Sequence, residues 1–150
     1  MKNIWLKTGV IIATILIFIA CSTEENPRLI QQSIKLDQYG IAWVKDLNTA
    51  FKLAKEEKKN VMIMAVSVGC GWCKKIKQHT LSNAMITKRL ENYILVQVDR
   101  ETPSERDQLP AFKHVPIIFF MTPQKKMIDN MRGYYTAEDF IEYLNEIEEF

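Results

Sequence analysis

The stretch VMIMAVSVGCGWCKKIK, residues Val61–Lys77, decides the reading of this chain. Its first six residues, Val61–Val66, form an unbroken apolar run, too short for a core helix and of the right length for a strand covered on both faces. Ser67, Val68 and Gly69 then supply a turn, and Gly71–Lys77 reads as the opening of a helix. Two cysteines two residues apart, Cys70 and Cys73, stand where strand, turn and helix meet. Unpaired backbone N–H groups and the helix dipole favour an anion at such a place. The first sulfur therefore gains thiolate character below the free-cysteine value of about 8.5. Cys70 is the expected nucleophile. Cys73, one turn on and facing inward, can attack a mixed disulfide formed by Cys70 and close an internal one. Lys74 and Lys75 add nearby positive charge that solvent largely screens.

Other chemistry fits the same spacing. A passive disulfide is one alternative, and two thiolates holding Cu(I) without exchange is another. Structural zinc wants four ligands, and beyond the pair the chain offers only His79 and His114, at no metal-like spacing, so no metal site is expected. His79 reads as a solvated helix residue and His114 as a loop residue with a local hydrogen bond.

Outward from the pair, the pattern is that of one domain. Upstream, Ile41, Trp43 and Val44 make a short apolar stretch, and Leu47, Ala50, Phe51 and Ala54 mark an amphipathic helix ended by the charged residues 55–59. Downstream, Ser82 is a candidate cap for a helix through Met85, Ile86 and Leu90, and residues 93–98 (YILVQV) read as a strand. Thr102-Pro103-Ser104-Glu105 has the form of a capping box with proline at the first helical position. Residues 117–121 and 126–131 are strands about the turn 122–125, and Thr136 with Asp139 opens a last helix carrying Ala137, Phe140, Ile141 and Leu144 on one face. Such an order predicts an α/β domain with a central mixed sheet of four to five strands flanked by helices.

At this point the chain resembles the thioredoxin superfamily, and within it the bacterial envelope thioredoxin-like proteins with a Cys-Gly-Trp-Cys-Lys site. The matching pieces are AFKLAKEEKK at 50–59, VMIMAV, CGWCK at 70–74, YILVQVD at 93–99, Val115-Pro116 before IIFF, and Arg132-Gly133-Tyr134; in the family's order they span about residues 43–148. The resemblance implies a thioredoxin-like fold and a thiol–disulfide oxidoreductase, with protein disulfides as substrates and no bound cofactor. It further implies that Pro116 is a cis-proline facing the dithiol and that Val115 offers backbone hydrogen bonds to an extended substrate. Trp72, between the cysteines, is then a substrate-contacting platform. Tyr134 and Tyr135 read as packing residues. Two departures stand out: Gly69 replaces the tryptophan usual before the first cysteine, and Met64 replaces a buried acid six residues before it. Asp99 is a candidate partial substitute for that acid.

The N-terminus bears on location. Lys2 and Lys7 precede a charge-free run of thirteen residues, Thr8–Ala20, which is shorter than the ~20 residues that span a bilayer as a helix and suits a secretory signal. Phe18-Ile19-Ala20-Cys21 resembles the lipobox of bacterial lipoproteins, which makes Cys21 the lipidated first residue of the mature chain. An uncleaved anchor is the alternative, and either places the domain outside the cytoplasm. The expected organisation is a signal peptide at 1–20, a lipid-anchored tether at 21–38 and the domain at 39–150, on the periplasmic face of a bacterial envelope. Apolar Leu29, Ile30, Ile34 and Leu36 leave open a short first element inside the tether. Lipidation of Cys21 also accounts for the odd third cysteine. Removing the leader takes two of the 20 basic residues and leaves 18 against 18 acids, a balance that implies no nucleic-acid partner. In the reducing direction, electrons would come from a membrane donor of the thiol–disulfide interchange type, and apocytochromes c are one client class the resemblance implies. A disulfide oxidase or isomerase is the alternative in the other direction.

Overall fold

Alternate residues of the Val61–Val66 run pack into two different cores. The computed structural model describes residues 33–149, so the signal segment, Cys21 and the first two thirds of the tether, residues 21–32, lie outside the described residues. In chain order the elements are β1 (Ile34–Leu36), β2 (Ala42–Val44), α1 (Leu47–Glu57), β3 (Asn60–Val66), α2 (Gly71–Ile76), a π-helical turn (Lys77–Leu81), α3 (Ala84–Leu90), β4 (Tyr93–Asp99), α4 (Pro103–Arg106), β5 (Ile117–Met121), β6 (Met127–Arg132) and α5 (Ala137–Glu148).

One mixed sheet has the order β1-β2-β4-β3-β5-β6. Strand β3 runs parallel to β4, from Asn60 opposite Tyr93 to Val66 opposite Asp99. It runs antiparallel to β5, from Val61 opposite Met121 to Ala65 opposite Ile117. Val61, Ile63 and Ala65 pack with Leu47, Ala50, Phe51 and Ala54 of α1. Met62 and Met64 face the other way, toward Cys73, Ile76, Leu81, Phe120, Phe140 and Leu144. An all-apolar strand is what two covered faces require.

The helix ends show how the elements are held. Asp46 caps α1: its carboxylate accepts from the Thr49 N–H at 2.8 Å and from the Thr49 hydroxyl at 2.9 Å. Partial burial pulls its pKa up, but these bonds and the charge of Lys45 outweigh it and leave the group below the ordinary carboxylate range. Thr136 caps α5 as expected, accepting from the Asp139 N–H at 3.2 Å.

Three expectations change. The sheet has six strands, not four to five, and it begins at Ile34, inside the segment read as tether. Strands β1 and β2 have three residues each, and the side chains of β1 are exposed, so neither carries a readable alternation. Asn83, not Ser82, caps α3 by accepting from the Met85 N–H at 3.0 Å, while the Ser82 hydroxyl donates to the Gln78 carbonyl. The Thr102 side chain makes no cap bond, and Glu105 instead accepts from the Leu47 N–H at 2.9 Å, serving the N-terminus of α1 from 58 residues away.

Candidate active site

A turn from Ser67 to Cys70, closed by the Cys70 N–H to the Ser67 carbonyl at 3.2 Å, carries the chain from β3 into α2. Gly69 sits in it at φ +75°, a backbone region open to glycine and costly for a tryptophan, which accounts for the departure seen at this position. Cys70 is the N-cap residue of α2, and its Sγ accepts from the Cys73 N–H at 3.1 Å. The two sulfurs are joined as a disulfide, with an S–S distance of 2.02 Å. Cys70 is half-buried at the surface, whereas Cys73 is 4% exposed within the core.

The Val115–Pro116 peptide bond is cis. Since Ala65 pairs with Ile117, Pro116 lies at the sheet edge from which the 67–70 turn departs. The Gly133 N–H donates to the Pro116 carbonyl at 2.9 Å, bringing the end of β6 to the same place. From there Tyr134 reaches Trp72, with ring centroids 5.7 Å apart. Trp72 is 56% exposed, as a contacting platform requires. The Lys75 ammonium stands 4.9 Å over the Trp72 ring and 4.7 Å over that of Tyr134. The structure thus gathers Cys70, Trp72, Cys73, Val115 and Pro116 at one end of the sheet. Tyr134 packs against the core, as read, and in addition meets Trp72 and Lys75.

Two clefts flank this assembly. One, about 360 Å³, is lined by Phe112, Lys113, Val115, Pro116, Ile117 and Arg132, among others. His114 is exposed on its rim, and Phe112 packs edge-on against Phe119. The second, about 370 Å³, includes Tyr39, Ser67, both cysteines, Lys77 and Gln97 in its lining. Lys77 Nζ donates to Gln97 Oε1 at 3.4 Å and lies 3.8 Å from Asp37 Oδ2. That Asp37 carboxylate also accepts from the Tyr39 and Ile41 N–H groups and from Trp43 Nε1 at 2.9 Å, which fixes its position. Met64 is fully buried and pairs with Gln97 across the strands. Asp99 is turned away to accept from the Glu101 N–H at 2.9 Å, and it is not among the residues lining the cleft. The polar side chains in the lining beside the dithiol thus include Lys77 and Gln97, with Gln38, Ser67 and Lys74. Lys77 had a readable signal: four residues after Cys73, it lies on the same helical face.

The thioredoxin-like family profile matches residues 42–123, more than half of the chain. The chain belongs to the thioredoxin-like family. Among curated relatives, the thiol:disulfide interchange protein DsbD of Vibrio vulnificus (strain CMCP6) is 27% identical over 110 residues, 69% of this chain and 18% of that protein. DsbD of Vibrio cholerae is 26% identical over 127 residues, 80% of this chain and 21% of that protein. The chain spans about a fifth of the length of these relatives. Among solved structures, a thioredoxin from Thermus thermophilus matches with a TM-score of 0.58 at 21% identity, covering 68% of this chain and 83% of that one. The oxidised DsbD C-terminal domain of Neisseria meningitidis matches with a TM-score of 0.54 at 21% identity, covering 66% and 90%. This thioredoxin-like chain thus shares the fold of both, with a CxxC pair at the head of α2 and a cis-proline beside it.

Proposed function

We propose that the chain is a thiol–disulfide oxidoreductase of the bacterial envelope, anchored by lipid at Cys21, that reduces protein disulfides. The observation that carries the reading is the asymmetry of the pair: a surface sulfur at the start of a helix, backed by a buried one and set at the same sheet edge as Val115-Pro116. In the reduced protein, the Cys70 thiolate attacks one sulfur of a client disulfide, and the other client sulfur leaves as a thiolate that takes up a proton. Cys73, losing its proton, then attacks the Cys70 sulfur of the mixed disulfide and expels the second client thiol. Two electrons and two protons pass to the client, and the Cys70–Cys73 disulfide remains. A membrane donor of the thiol–disulfide interchange type restores the dithiol by supplying two electrons and two protons. The likeness to DsbD, a thiol:disulfide interchange protein, supports this partner class.

The test is to measure the reduction potential of the pair against glutathione and to trap partners through Cys70 in a Cys73→Ala variant. A potential below about −240 mV with trapped mixed disulfides is expected of a reductase. A potential near that of the strong oxidants, about −120 mV, reverses the direction to an oxidase or isomerase. No trapped partner together with stoichiometric Cu(I) binding overturns the exchange reading in favour of a copper-holding protein. For the anchor, Cys21→Ala is expected to release the chain from membranes; retention after a carbonate wash sinks lipidation.

A further inference from the structure

We propose that the surface beside the dithiol selects client segments whose reactive cysteine is flanked by acidic residues; this deepens, and rests on, the oxidoreductase reading. The surface is continuous. Its apolar floor is Phe112, Val115, Pro116 and Ile117, joined to β6 by the Ile117–Arg132 pairing and by the Gly133 N–H to the Pro116 carbonyl. It runs on through Tyr134 to Trp72. An extended segment laid along it presents its neighbours on either side of the reacting cysteine to the two ends.

Cations stand at both ends. The cations Lys113 and Arg132 line the groove together with the His114 ring, and no aspartate or glutamate does. At the other end, Lys75 is held between the faces of Trp72 and Tyr134, so little further ordering is needed to meet a carboxylate. Lys75, Lys113 and Arg132 form no ion pair with a described carboxylate, whereas Lys59, Arg89 and Arg106 pair with Glu57, Glu148 and Asp107. The carboxylates nearest in chain order to Lys113 and Arg132 are engaged elsewhere: Asp107 with Arg106, Asp129 with the Asn130 N–H, and Asp139 with Thr136. Glu138 begins α5 and does not line the groove. The patch is not a by-product of a basic protein, because the chain without its leader has 18 basic and 18 acidic residues. The apolar floor next to the sulfur suits a polypeptide over a lipid surface.

The test uses the full chain, reduced, with three extended peptides that carry one cysteine disulfide-linked to 2-thiopyridine and differ only in its neighbours: glutamate, glutamine or lysine. At low ionic strength the glutamate peptide should react about tenfold faster than the lysine peptide, falling to about twofold near 0.5 M salt. A Lys75→Gln/Arg132→Gln double variant should reduce that ratio at least about threefold, as should Lys113→Gln to a smaller degree, while Lys55→Gln on α1 leaves the ratio as it was. Equal rates for the three peptides, or a preference untouched by salt and by the double variant, overturn the inference and leave the redox reading standing. Absence of exchange with every peptide overturns both. Charge-blind rates, combined with phosphatidylglycerol vesicle binding that the double variant loses, reassign the patch to a membrane surface.

Discussion

The two clefts beside the disulfide have nearly the same volume, about 360 and 370 Å³, and opposite chemistry. The Phe112–Pro116 side combines an apolar floor with cations that have no carboxylate of their own. On the Tyr39–Gln97 side, Lys74 shares the lining with groups bonded to one another: Lys77 is held between Gln97 and Asp37, and Gln38 donates to the Tyr39 hydroxyl. Unspent charge is available to a visitor, whereas charge spent internally tunes what it touches. The first cleft is accordingly suited to holding a client and the second to adjusting the ionisation of the buried sulfur.

The comparison is broken most severely at the sulfurs. Cys70→Ser should lower disulfide reduction by at least about 10³-fold, since the thiol that remains, Cys73, is buried away from a client. Cys73→Ser should still attack but stall as a covalent adduct visible by mass spectrometry. On the client side, Trp72→Ala should lower kcat/KM for a peptide disulfide about tenfold, the equivalent of one lost aromatic contact, and affect a small disulfide such as cystine less. If both substrates fall alike, Trp72 acts on the sulfurs and not on the client. On the tuning side, Lys77→Met removes an ammonium that favours a thiolate, so the pH profile of exchange should move to higher pH, with a rate loss of about two- to fivefold at pH 7. An unmoved profile would separate Lys77 from the chemistry.

The smallest effect on exchange is expected from a site remote from both clefts. Asp46→Ala, which deletes the α1 cap, should cost about 1 kcal/mol of stability in urea unfolding. Because the native pKa of Asp46 lies below its unfolded value, its contribution is complete above the ordinary carboxylate range and is lost as pH falls through the lowered value. The difference between wild type and variant should therefore narrow in acid, while peptide reduction stays as it was.

How much of this was legible follows from how local each signal is. The β3 run, the CxxC, the β5–β6 turn and the Thr136 cap are written in a few consecutive residues. The position of Pro116 at the head of β5 and its cis bond agree with what the family resemblance implied. What escaped lies in contacts between distant segments. Glu105 serves a helix end 58 residues upstream, and Lys77 meets partners 20 and 40 positions away. Strand β1 was legible only as an alternative to the tether, because its three residues are exposed and carry no core pattern. The Lys75–Tyr134 contact was masked by a plausible packing role for the tyrosine.

One quiet feature joins these parts. Among the described residues Thr80 is the one fully buried polar side chain, and its hydroxyl donates to the Tyr135 carbonyl. The bond ties the segment that follows Cys73 to the one that bears Tyr134, so the helix behind the sulfur pair and the aromatic wall are joined through a buried contact. Neither sulfur takes part in that join, so opening or closing the disulfide leaves its two partners unchanged.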